Sequence, residues 1–427
     1  MGKNRKIKCC PVFQLDDLWC SIYIAREIML NRQKEVDILL KLMHAALHQD
    51  DSRTIEWADG CDPVQLVRLV LRQNLVSMLY PVIEQQQGMP WETIRAQLKP
   101  SYQQEAYRGL VQEHEMQQLL EEMEQDGIDC LPMKGWVLRE MYPDPLMRSM
   151  SDLDILIRAF DSEKLNGWMQ KHGYQLDEVE ENFHDSYKKP PYLYVELHRT
   201  LIDERNLSPA ETSWLREKAE HFWDEDARVD GKEHVYQLSD ELFLIHQVSH
   251  FYKHFTNAGV GIRPLADIFL FLREKGETLD RQYIDAQLHV LHLKEFAGKM
   301  EGFANAFFEE QGPIDQQAEL VLGYLTHSSI HGSRMTQDSL RMMDSDRKSY
   351  LYNSLVNTFR HCFLPLGVMA RDYPVLKKHA WLLPAYWVYR GFRILFLERD
   401  KIRKVAQAQA KSNFDELQAI FDAAGIR

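Results

Sequence analysis

Two aspartates two residues apart, Asp152 and Asp154, open the apolar run "SDLDILI". In an extended strand, residues two apart face the same way, so both carboxylates project together. Like charges that close repel and raise each other's pKa unless a cation neutralises them. Oxygen-only ligation by carboxylates is what Mg²⁺ accepts, typically with phosphate oxygens completing its shell. In a second run, "YLYVELHRTL" from 192 to 201, alternation sets Tyr194, Glu196 and His198 on one face. Glu196 becomes a third acid if this strand lies beside the first. A lone Asp-x-Asp pair is common, so its neighbours carry the argument. Lys134 and Gly135 stand where a strand ends and a helix begins. Glycine permits close backbone approach there, and a helix N-terminus offers free N–H groups to a phosphate. Arg148, just before the acidic strand, can clamp phosphate oxygens.

The stretch "HQVSHFYKHF" carries another pattern. His246, His250 and His254 recur every four residues and share one helical face, while Phe243, Val248, Phe251 and Phe255 pack inward. His-x-x-x-His on a helix is a zinc ligand pair, to which Asp267 can add another donor. Gln247, however, stands where a zincin-type protease needs glutamate as general base. The preferred reading is a cleft wall, with His250, His254 and Arg263 facing base, ribose or acceptor.

The surrounding chain supplies the frame. Residues 30–126 form an N-terminal helical region: "EVDILLKLMHAAL", "DPVQLVRLVLRQNLVSMLYPVI" and "YQQEAYRGLVQEHEMQQLLEEMEQ" repeat apolar residues at three-to-four spacing. Asp62-Pro63 is a helix start and "EQQQGMPWE" a break. Residues 127–205 alternate strand, helix, strand, helix, strand: "IDCLPM", "KGWVLREMY", "SDLDILI", "DSEKLNGWMQKHG", "YLYVELHRTL". That order implies a small α/β sheet. Residues 206–427 form a C-terminal helical domain, and 1–29 read as a tail, or as an artefact of start-site choice with Met29 as the true beginning. The fold class is α+β, mainly helical.

The chain has 427 residues, 45% hydrophobic and 27% charged, enough for two or three domains with real cores. A net charge of -13 works against binding bulk nucleic acid but leaves room for a local basic pocket. Six cysteines without CxxC spacing give neither a zinc framework nor a disulfide scaffold, and point to a reducing cytoplasm. No apolar run is long enough for a transmembrane helix; "HAWLLPAYWVYRGFRILFL" is interrupted by Pro384 and charged groups. "GVGIRP" lacks the third glycine of a dinucleotide fingerprint, and "HGSR" at 331–334 reads as a loop.

Taken in order, Lys134, Gly135, Tyr142-Pro143, Arg148, Asp152, Asp154 and Glu196 resemble the core of the bacterial uncharacterised nucleotidyltransferases, within the superfamily typified by DNA polymerase β. Two later blocks, 246–272 and 370–395, are also similar to that family, and the likeness covers about residues 35 to 400. The resemblance implies a small nucleotidyltransferase-type core sheet flanked by helical regions. It also implies transfer of a nucleoside monophosphate from an NTP to an unidentified hydroxyl acceptor: a small molecule, a protein or an RNA. By that resemblance the transfer uses two metals: Asp152 and Asp154 hold two Mg²⁺ (or Mn²⁺) ions, Glu196 completes the catalytic metal site, and Lys134, Gly135 and Arg148 meet the nucleotide. The wider superfamily has Gly-Ser or Gly-Gly where this chain has Lys134-Gly135; the closer family shares the lysine. Two other readings stay open: a catalytically inactive nucleotide-binding or interaction module that keeps the fold, and a zinc-dependent hydrolase built on the histidine helix.

Overall fold

A computed structural model describes residues 34–327, apart from 51–52, 159–160, 181–182, 203–206, 258 and 311, together with parts of 363–397 and residues 411–426. The tail at 1–29, the loop reading of 331–334 and part of the 370–395 block fall outside these residues.

Helix α1 (34–47) buries Ile38, Leu39, Leu42, Met43 and Ala46 completely, as its three-to-four spacing predicts. Helix α2 (Pro63–Arg72) starts where expected: Asp62 accepts from the Val64 N–H, and Pro63 takes the first helical position, where no N–H is needed. The sequence reads 62–83 as one helical segment, yet the chain breaks before α3 (Val76–Gln85). At the break Asn74 takes φ +50°. There the buried Gln73 side chain donates to the carbonyls of Leu325 and Thr326 and accepts from the Ile262 N–H. A continuous helix would forgo that three-way tie to later elements.

Helix α4 (Met89–Gln125) is 37 residues long, about 55 Å at 1.5 Å per residue. It bridges two cores. Trp91, Ile94 and Leu98 near its start join the large helical core, whereas Met116, Leu119 and Met123 cover the sheet.

That sheet has five strands in the order β1-β2-β5-β4-β3: β1 (Cys130–Pro132), β2 (Leu153–Ile157), β3 (Gln175–Glu180), β4 (His184–Lys189) and β5 (Leu193–His198). β2 and β5 run parallel; the other pairs are antiparallel. Between β1 and β2 lie one helical turn, α5 (Gly135–Leu138), and two 3₁₀ turns, Arg139–Met141 and Pro145–Met147, in place of one regular helix. Helix α6 (Ser162–Lys171), capped by Asp161, precedes the β3–β4 hairpin. The sequence reading passes over that hairpin for a physical reason. β3 is an exposed acidic edge strand, and β4 buries Asp185 and Ser186 where an apolar pattern would be sought.

Alternation gives the sheet two unlike faces. Leu153, Ile155, Ile157, Leu193, Val195 and Leu197 pack under α4 and α6 with Met116 and Met169. The opposite face carries Asp154, Glu196 and His198 toward helices α7 (Pro209–Ala219), α8 (Asp240–Asn257) and α9 (Arg263–Lys275). Helices α10 (Arg281–Val290), α11 (Lys294–Asn305) and α12 (Gln316–His327) complete the helical core, which α1 to α3 share. Of α13 (Leu383–Leu397) and α14 (Lys411–Ala423), the second packs Phe421 on Phe255 of α8, ring centres 5.9 Å apart. Among the described residues no helix is long and apolar enough to cross a membrane.

Candidate active site

The polar face of the sheet opens into a cavity of about 860 Å³. Parallel pairing sets Asp154 of β2 directly beside Glu196 of β5, so the two carboxylates share a face. Asp152, in the loop entering β2, lines the same cavity. Next to β5, antiparallel pairing brings His184 of β4 opposite His198.

Lys134 reaches this group from the cap of α5. Its backbone adopts φ +48°, ψ −119°, a conformation that glycine enters readily and a side-chain-bearing residue enters at a cost of about 1–3 kcal/mol. Lys134 Nζ donates to Asp154 Oδ1 at 2.5 Å, and His198 Nε2 lies 2.9 Å from the same oxygen and 3.4 Å from Glu196 Oε2. Gly135 leaves little room for a side chain: a Cβ would lie 3.1 Å from Met150 Cγ and 3.3 Å from Arg148 Nη1, so those side chains would have to give by a few tenths of an ångström. Helix α5 is only one turn long and runs on into the 3₁₀ turn Arg139–Met141, so the helix N-terminus beside the acids is a short one.

The charges act on one another. Burial pushes the Asp152 carboxyl up, and the neighbouring Asp154 adds to this, to about 6. Burial works in the same direction on Asp154, but Lys134 and the His198 hydrogen bond outweigh it and hold that carboxyl far below the usual range. Glu196 is likewise lowered, its burial overcome by the close approach of the His198 ring, 3.4 Å away. Lys134 is raised because the attraction of Asp154 exceeds its desolvation.

The basic residues of the same cavity are differently built. Arg148 Nε and Nη2 donate to the two oxygens of Asp267 at 2.7 and 2.9 Å, and the Tyr142 hydroxyl donates to Asp267 Oδ1 at 2.7 Å. This corrects two expectations. The fork of Arg148 is already closed on a carboxylate and is not open to clamp phosphate, and Asp267 is held by two donors and is not a spare zinc ligand. Arg263, at the first turn of α9, differs: Nη1 donates to the Ser149 carbonyl and hydroxyl at 3.0 and 3.2 Å. Among the described residues Arg263 forms no ion pair with a carboxylate within 4.0 Å. Burial, then repulsion from Arg148, lowers it to about 10.

His246, His250 and His254 all line the cavity from α8. Burial, then the positive charge of Lys134, lowers His246 to about 3 and His250 well below its usual value, so both are neutral at pH 7. These histidines do not assemble a three-ligand set. Among the described residues, one group of three ligand-type side chains brings its donor atoms within 4.8 Å of one another: His184, Glu196 and His198. Asp152 and Asp154 stand beside that group. His184 was not singled out from sequence, because only the β4–β5 register brings it there.

A small mixed sheet flanked by helices, with carboxylates on its central strands facing a polar cavity, is the α+β core of a nucleotidyltransferase-type protein. Residues 59–309, more than half of the chain, match the family described as uncharacterised nucleotidyltransferase, of the polymerase-β-type superfamily, and the chain belongs to that family. No curated protein and no solved structure matches it.

Proposed function

We propose that this protein transfers a nucleoside monophosphate from an NTP to a hydroxyl group of an acceptor. One observation carries the reading: Asp152, Asp154 and Glu196 line a single cavity wall with one ammonium, Lys134, among them. Carboxylates withdrawn from water in such excess are costly until a cation joins them. Their oxygens are hard donors that fit Mg²⁺ or Mn²⁺, which Asp152, Asp154 and Glu196 would hold. Such an ion, when bound, stabilises charge on the attacking and leaving oxygens of phosphoryl transfer.

The chain's own groups do the rest. Lys134 exchanges Asp154 for the triphosphate, and Arg263, a part-buried cation that has no carboxylate partner among the described residues, meets the phosphates from α9. Phosphoryl-transfer catalysis comes mainly from such positioning and charge neutralisation. Glu196 takes the proton of the acceptor hydroxyl. His250 and His254, with His250 neutral, border the base, ribose or acceptor. Arg148 acts indirectly, by fixing α9 and so Arg263 through Asp267. A net charge of -13 favours a small or protein acceptor over bulk nucleic acid.

A second reading, nucleotide binding without turnover, draws on the Lys134–Asp154 pair, which already occupies one oxygen that metal would use. The test is Mg²⁺-dependent pyrophosphate release from each NTP in the presence of cell extract. Release by the wild type and its loss in Asp154→Asn support transfer. Release that survives Asp154→Asn, or none with any NTP, removes the transfer reading.

A further inference from the structure

His184, Glu196 and His198 differ in kind from the aspartate pair beside them. Mg²⁺ takes oxygen ligands, whereas two imidazoles and one carboxylate suit a borderline transition-metal dication. Three features of the group point to a ligand. First, the carboxylate of Glu196 sits between the rings, with Oε1 3.8 Å from His184 Nε2 and Oε2 3.4 Å from His198 Nε2. Those spacings exceed a hydrogen bond of about 2.7–3.2 Å. They approach the separation of about 3.4 Å between neighbouring ligands that each lie about 2.1 Å from a tetrahedral ion.

Second, His184 has a carboxylate behind it. Its Nδ1 is 3.4 Å from Glu180 Oε2. That spacing is longer than a hydrogen bond, and this buried Nδ1 has no hydrogen-bond partner; with a proton on Nδ1, drawn toward Glu180, the Nε2 lone pair is bare toward Glu196, the arrangement that orients histidine ligands in metal sites. Third, His198 is only 2% exposed, and its Nδ1 has no hydrogen-bond partner. Its Nε2 bonds Asp154 Oδ1. Asp154 does not depend on that bond, since Lys134 also donates to it. His198 Nε2 can therefore turn from donor to ligand, with its proton released or moved to Nδ1.

We propose that His184, Glu196 and His198 form a binding site for a transition-metal dication of the Zn²⁺ type, adjacent to the acidic Mg²⁺ site and distinct from it in its nitrogen donors. The site goes beyond the transfer reaction, because the three side chains bind metal whether or not a nucleotide reacts. Glu196 is common to both sites, so a metal held by the histidines also fixes the orientation of the third acid.

The test uses the purified full-length chain, stripped with chelator and titrated calorimetrically with Zn²⁺ alone and with Mg²⁺ alone. The wild type is expected to bind about one Zn²⁺ per chain. His184→Ala, which removes a side chain outside the aspartate pair, is expected to weaken Zn²⁺ at least tenfold and to leave Mg²⁺ affinity within about twofold. A folding defect in that variant does not block the test: wild-type protein loaded with Cu²⁺ should show spin-echo modulation from imidazole nitrogen. Unchanged Zn²⁺ affinity in a folded His184→Ala, equal weakening of Zn²⁺ and Mg²⁺, or absence of nitrogen modulation overturns the proposal. Both readouts use metal alone, so failure of the transfer reaction leaves this result untouched.

Discussion

Two ion pairs line the same cavity, and they are built on opposite principles. Arg148 and Asp267 make a closed unit: two parallel hydrogen bonds, a third from Tyr142, and no charge left over on the carboxylate. Lys134 and Asp154 make an open one. A single ammonium meets one of three carboxylates, from a backbone position strained at φ +48°. A closed pair positions elements, here α9 against the turns before β2. An open pair is a poised electrostatic deficit, and such deficits cluster at functional sites. Neither charge type nor the number of donors separates these roles, since Lys134 and His198 both reach Asp154; the balance of charge does, with one guanidinium for Asp267 and one ammonium among Asp152, Asp154 and Glu196.

The largest effect expected from breaking this comparison is at the closed pair. Asp267→Ala should cost roughly 3–5 kcal/mol of stability, because it strands a buried guanidinium. Denaturant unfolding of the metal-free chain measures it, and a loss below about 1 kcal/mol would make the pair an ornament. At the open end Asp154→Asn should retain the fold and lose roughly 10²–10³-fold in transfer rate, the scale for removing one preorganised charge from a phosphoryl or acyl site. A steady-state rate within tenfold of wild type contradicts that role.

Lys134→Ala sharpens the contrast. A charge-assisted contact of roughly 1.5–3 kcal/mol predicts a loss of about ten- to hundredfold in NTP affinity, at 1.4 kcal/mol per decade. Mg²⁺ alone should bind more tightly, since the competing ammonium is gone. Calorimetry with each ligand reads both, and unchanged NTP affinity would refute the phosphate role of this lysine.

Asp152→Asn gives a gain where Asp267→Ala gives a loss. A carboxyl raised to about 6 in the fold from about 3.8 contributes stability below 3.8, which is lost as pH rises through about 6. At pH 7.5 the ionised Asp152 thus weakens the metal-free protein, and Asp152→Asn should stabilise it by about 1–2 kcal/mol. Destabilisation instead would mean that this carboxylate is satisfied as it stands. The smallest effect concerns α8. His246, held at about 3 by burial and then by Lys134, contributes stability above its unfolded value near 6.5, lost progressively as pH falls toward 3. His246→Leu should therefore lose less stability than the wild type between pH 7.5 and 5.5; equal slopes would exclude this histidine as the source.

How much of this was legible in sequence follows from what each signal depends on. The helices α1, α2 and α8 announce themselves by apolar spacing and by Asp62-Pro63, which are local properties. The shared face of Asp154 and Glu196 needed only strand alternation and one assumption, that β2 and β5 are neighbours. Strand β4 stayed hidden because Asp185 and Ser186 occupy its buried positions, and with it His184. Arg148 looked like the phosphate clamp because it stands beside the acids in the chain. Its real partner is 119 residues away, and no local pattern separates it from Arg263. Long-range pairing decided these cases, and a single sequence does not contain it.

The most direct test of the central claim compares two labels. Purified protein is incubated with Mg²⁺ and cell extract, once with NTPs labelled at the α-phosphate and once with NTPs labelled at the γ-phosphate, in parallel with Asp154→Asn. Nucleotidyl transfer at the three-carboxylate wall predicts that α-label becomes attached to an acceptor, that γ-label leaves as pyrophosphate, and that Asp154→Asn does neither. Acceptor labelling from the γ-phosphate, or α-labelling that persists in Asp154→Asn, contradicts it.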